Sequence, residues 1–185
     1  MFLAVGLLGP LAGCPTWSQQ RTYDRQLDDH TQKLVIYDGF ATALIMRGTY
    51  LSPEFRQVMT DERQRLIAPS EADHAEFTRR MDDDGSAYHE IVFSADSALE
   101  EADQFGESDD GWVLRLTADG REEPLVTSYR VRRPSPLHRS LYGHLNIWSE
   151  LWIARFARTV ESPDEVILHV GSGYGNGTLR WETRR

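Results

Sequence analysis

The chain has 185 residues, 40% hydrophobic and 10% aromatic, which is enough to build one core of ordinary size. Its 29 acidic residues outnumber 20 basic ones, for a formal net charge of −9. That balance excludes a general nucleic-acid role and electrostatic attachment to anionic lipid, since both need basic density on one face. A single cysteine excludes a disulfide framework and a thiolate metal site.

Residues 1–13, MFLAVGLLGPLAG, carry no charged side chain and are mostly apolar. The run is too short to cross a bilayer core, which needs about 20 residues. It suits the apolar region of a signal peptide, roughly 7–15 residues long. It ends in Leu11-Ala12-Gly13-Cys14, where small residues leave room for a peptidase to reach the backbone. Leu-Ala-Gly-Cys resembles the lipobox of bacterial lipoproteins. The resemblance covers only these fourteen residues, and only the Met1 amine supplies positive charge ahead of the run. It implies a cut between Gly13 and Cys14 and a diacylglycerol on the Cys14 thiol. It places the protein on the bacterial cell envelope. Pro15, where inner-membrane lipoproteins of enteric bacteria tend to carry Asp, favours the outer membrane over the inner one.

Residues 14–32 are expected as lipid anchor and polar tether, with helix possible from Thr22 and Trp17 able to lie at a membrane interface. Residues 33–185 are expected as one β-rich domain. Leu34 to Tyr37 is a short β run broken at Asp38-Gly39, and Phe40, Thr42, Leu44 and Met46 share one face of the next. Ser52-Pro53-Glu54 is a helix start, with a capping hydroxyl, a proline at the first helical position and an acid at the positive dipole end. Phe55, Val58, Met59, Leu66 and Ile67 keep helical spacing until Ala68-Pro69. Ser70 starts a second helix, with Phe77 and Met81 inward and Asp82-Asp83-Asp84-Gly85 as its end. Together they form a helical hairpin insert at about 52–84.

From Ala87 the pattern is β. Tyr88 to Phe93 is one strand, followed by an acidic loop from Ser94 to Asp110. Trp112, Leu114 and Leu116 alternate inward, Asp119-Gly120 supplies a hairpin turn, and Leu125 to Arg132 returns. Leu137 to Trp148 has no clear period. Leu151 to Val160 puts Trp152, Ala154, Phe156 and Val160 on one strand face. Val166 to Val170 and Leu179 to Trp181 close the chain around a glycine-rich loop, Gly171 to Gly177. Short strands at regular spacing predict an α+β fold, mainly an antiparallel β-sandwich (Ig-like or a partly open barrel) with the helical hairpin inserted.

The chemistry-bearing motifs are few. The glycine run lies between strands and lacks a following Lys-Ser/Thr, so it reads as a hairpin loop and not a phosphate cradle. The acids of 96–110 lack the spacing of a calcium loop, and the six histidines include no His-Glu-x-x-His pair. No metal or cofactor is expected. Arg130, Arg132 and Arg133, with Arg139 nearby, form the one basic cluster and are candidates to grip an anionic ligand. Trp148 and Trp152 are candidates to line a ligand groove. The reading is a non-catalytic binding or scaffold module, held to the envelope membrane and meeting an envelope protein partner. Two alternatives stand beside it: a periplasmic hydrolase with a His and carboxylate site, for which His89-Glu90 and His138 with His144 are the candidates, and a structural component of an envelope complex.

Overall fold

A computed structural model describes residues 16–97, 105–106 and 111–183. Within them the chain opens with helix α1 (Thr16–His30), which leads into strands β1 (Thr31–Asp38) and β2 (Ala41–Tyr50). The helical hairpin α2 (Pro53–Ile67) and α3 (Glu71–Ala87) follows, then β3 (Tyr88–Ser97). Short β4 (Phe105–Gly106), β5 (Trp112–Ala118), β6 (Arg121–Glu123) and β7 (Leu125–Val131) come next. The chain finishes with α4 (Pro136–Leu141), β8 (Leu151–Ala157), β9 (Glu165–Ser172) and β10 (Gly175–Glu182).

Two sheets face each other, and the fold is α+β. The first runs β1-β2-β3-β8-β7, all antiparallel. The second runs β10-β9-β5-β4, with β6 on β5 and with β4 parallel to β5. Between them lies the main core, centred on Leu44, Phe93, Trp112, Leu116, Phe156 and Leu168. The helices cover the other side of the first sheet. There Tyr23, Phe55, Met59, Val92, Leu141 and Leu151 form a second apolar layer. Each fully buried side chain of this size contributes roughly 1.5–3 kcal/mol.

The expected helix starts are present. The Ser52 hydroxyl accepts from the Phe55 amide at 3.1 Å, and the Ser70 hydroxyl from the Asp73 amide at 3.2 Å. Ala68 ends α2 in the left-handed region. Trp112, Leu114 and Leu116 are buried, and Asp119 and Gly120 turn with positive φ.

Several elements differ from expectation. Residues 16–30, expected within a tether, are a docked helix: Tyr23 and Leu27 are buried, and the Tyr23 hydroxyl donates to the Leu141 carbonyl at 2.6 Å. Phe40 is fully exposed, because it occupies the β1–β2 turn and not the strand. Helix α3 runs through Asp82–Gly85 to Ala87, since Gly85 packs against Arg56, whose Cδ would lie 3.0 Å from an added Cβ. Strand β3 extends to Ser97, into the stretch expected as acidic loop. The return strand after Asp119-Gly120 does not stay in its hairpin. Only β6 pairs with β5; after Pro124, which cannot donate to a ladder, β7 joins β8 in the other sheet. Val160 lies beyond β8.

The glycine run is mostly strand. Only Gly173 and Tyr174 form the turn, while Gly175 and Gly177 belong to β10, where it crosses close to β1. A Cβ on Gly177 would sit 2.5 Å from Leu34 Cδ1, and one on Gly175 would sit 2.8 Å from Ile36 Cγ2. These glycines are required by close approach of the two sheets, not by loop flexibility.

Candidate functional site

The basic cluster is built where β7 ends. Arg130 lies in β7, opposite Trp152 in register, and the chain bends at Arg132-Arg133 before Ser135 caps α4. Helix α4 brings Arg139 back, and its guanidinium donates to the Pro134 carbonyl at 2.7 Å. A turn after α4 then presents Ile147 and Trp148. Asn146 holds that turn: its side-chain oxygen accepts from the Trp148 amide at 2.7 Å, and its own amide donates to Ser149 Oγ at 3.0 Å. Ile147 and Trp148 are 72% and 84% exposed.

These segments line a hollow of about 550 Å³. Arg130 donates to Glu150 at 2.8 Å across its wall. Arg132 and Arg133 are exposed and form no ion pair among the described residues. Four arginines against one glutamate leave a local charge of +3 on a chain of −9. Guanidinium groups present paired donors that match carboxylate and phosphate oxygens. Of the residues singled out in the sequence, Arg130, Arg132, Arg133, Arg139 and Trp148 come together. Trp152 does not. It is 7% exposed, stacked on Phe93 with ring centres 6.3 Å apart and edge-on to Phe105 at 5.1 Å. Even-numbered residues of β8 face the other sheet, so Trp152 belongs to the core. Ile147 and Glu150 were missed by sequence reasoning, because nothing local marks them.

The histidines are scattered. His89 and Glu90 point to opposite faces of β3, so they do not form a pair. His89 is buried between the sheets. Its Nδ1 meets the Tyr50 hydroxyl at 2.9 Å, and its Nε2 lies 3.9 Å from Glu123. Burial, and then the Arg158 charge, push its pKa down to about 4, against the opposing pull of Glu123. Glu123 is held by the Thr159 amide, the Thr159 hydroxyl and the Val160 amide at 2.9–3.0 Å. This network ties the strand ends together. His144 is likewise pushed down to about 4, by burial and then Arg47.

His138 is the histidine nearest to carboxylates in a cavity, one it lines with Glu90 and Asp84. Its Nδ1 accepts from the Ser135 amide at 3.0 Å. Arg155 holds both acids, Glu90 at 2.6 Å and Asp84 at 2.8 Å. No Ser, Thr or Cys is among the described residues of that wall. The Ser135 hydroxyl lies 3.0 Å from the same His138 nitrogen, a contact that belongs to the capping box of α4.

No group of three or more His, Cys, Asp or Glu is placed to hold a metal among the described residues. No described helix is long and apolar enough to cross a membrane. The candidate cleavage and lipidation residues, Gly13 and Cys14, lie outside the described residues, as do most acids of the 96–110 segment. No protein-family model matches the chain, and no curated protein matches it in sequence.

Proposed function

We propose that this chain is a non-catalytic docking module of the bacterial envelope, anchored by lipid at Cys14, that binds an acidic segment of an envelope protein partner. The supporting observation is the hollow at the end of β7, where four arginines stand beside exposed Trp148 and Ile147. Arginine and tryptophan dominate the energetics of protein interfaces, while a bare phosphate ion has no use for an indole. The anchoring half of the reading rests on Leu11-Ala12-Gly13-Cys14.

The test is titration with poly-glutamate, followed by fluorescence at 50 and 300 mM salt. The expected result is saturable binding by the wild-type chain that weakens at higher salt. An R132E/R133E variant of unchanged circular dichroism should lose it at least tenfold. Equal binding by the variant, or none by the wild type, removes the docking reading.

A further inference from the structure

A second cavity lies between the α2–α3 hairpin, α4 and the helix-facing side of the first sheet. It measures about 290 Å³. That is at the small end for a ligand pocket, which typically starts near 300 Å³. Most of its wall is apolar: Met59 and Met81 from the hairpin, Leu137 and Leu141 from α4, Leu151 and Ile153 from β8.

One side is polar, and both of its carboxylates are paired. Glu90, 5% exposed, accepts from Arg155 at 2.6 Å and lies 3.9 Å from the Arg56 guanidinium behind it. Asp84 accepts from the same Arg155 at 2.8 Å. The two carboxylates are thus paired with the guanidiniums of Arg56 and Arg155. Arg80 lies exposed at the rim with its guanidinium over the Phe77 ring, 5.3 Å from the centroid, and Tyr129, His138 and Tyr142 complete the polar lining. A charged ligand group brought to Glu90 would have to break a pair that is already made, and breaking a buried pair is costly. The carboxylate of Glu90 keeps lone pairs beyond those used by Arg155.

We infer that this cavity binds a small neutral molecule, aromatic or aliphatic, that carries one hydrogen-bond donor for the Glu90 carboxylate. The apolar wall takes the body of such a molecule, and the paired Glu90 carboxylate orients its single O–H or N–H. The site is separate from the arginine hollow and does not depend on an acidic partner.

The probe is 2-naphthol at pH 7, with two fused rings and one hydroxyl, titrated into protein labelled with ¹³C at the methionine methyl groups. The Met59 and Met81 methyls should shift in a saturable manner, while Met46, in the core between the sheets, should not. A Leu137→Trp variant, which fills the cavity, should bind at least tenfold more weakly with a Tm within a few degrees of wild type. R132E/R133E should bind 2-naphthol like the wild type. Absence of saturable shifts at Met59 and Met81, an equal shift at Met46, or undiminished binding by a folded Leu137→Trp would overturn the inference. Should Leu137→Trp fail to fold, the methyl shifts decide alone.

Discussion

Acidification should destabilise this chain through His89. The ring is completely buried between the sheets and neutral at pH 7. In the unfolded chain it takes up a proton near pH 6.5, whereas in the folded chain it does so only near pH 4. Between those values the unfolded state binds the extra proton. The contribution of the neutral ring is therefore complete above pH 6.5 and is lost as pH falls towards 4. The gap from 6.5 to about 4, at ~1.4 kcal/mol per pH unit, amounts to about 3 kcal/mol. Against a typical domain stability of about 5–15 kcal/mol, that is a large fraction. The assay is urea unfolding followed by circular dichroism at pH 7, 6, 5 and 4, for wild type and His89→Gln. Glutamine can still accept from the Tyr50 hydroxyl and does not titrate. The variant should start less stable at pH 7 yet lose about 3 kcal/mol less on going to pH 4. His144 titrates in the same window but is common to both proteins, so it cancels in the comparison. Parallel decline of the two proteins would refute the reasoning.

Other outcomes follow from the packing and the surface. Gly177→Ala drives a methyl into Leu34 and should cost about 1–3 kcal/mol, read as a lower Tm. Glu90→Gln leaves the buried Arg56 guanidinium without its carboxylate, while Arg155 keeps Asp84, and should cost about 3–5 kcal/mol by urea unfolding. Trp148→Ala removes an exposed ring, so stability should stay within about 0.5 kcal/mol while affinity for poly-glutamate falls. Cys14→Ala, expressed in a bacterial host, should lack the lipid-sized mass increase and leave the membrane fraction; a wild-type mass with Met1 retained and no adduct would end the anchoring proposal.

Local chemistry made much of this architecture legible. Ser52 and Ser70 cap helices because a hydroxyl can reach an amide three residues on, and Asp119-Gly120 turns because both residues tolerate positive φ. The alternation of Trp112, Leu114 and Leu116 marks a strand with one buried face. What stayed hidden depends on partners distant in sequence. Strand β3 is buried on both faces, so His89 and Glu90 are core residues with polar partners supplied by β2, α2, β6 and β8. The passage of β7 to the second strand partner is decided after Pro124, where the Ala157 amide takes the proline carbonyl at 2.8 Å. In the arginine hollow, the contiguous cluster was visible as composition, but Trp148 and Trp152 part because the first lies in the turn before β8 and the second on the core face of that strand.

The docking of α1 bears on how the protein would stand at a membrane. Tyr23 and Leu27 are built into the body, and Gln20 accepts from Arg65 at the end of α2. Only Pro15 separates Cys14 from the first helical residue, and a link of two residue steps reaches at most about 7 Å. On the proposed anchoring, the acyl chains would hold the body on a short leash, with no arm to swing. Lengthening the 14–16 link with a flexible insert should then free the body to move away from the bilayer surface.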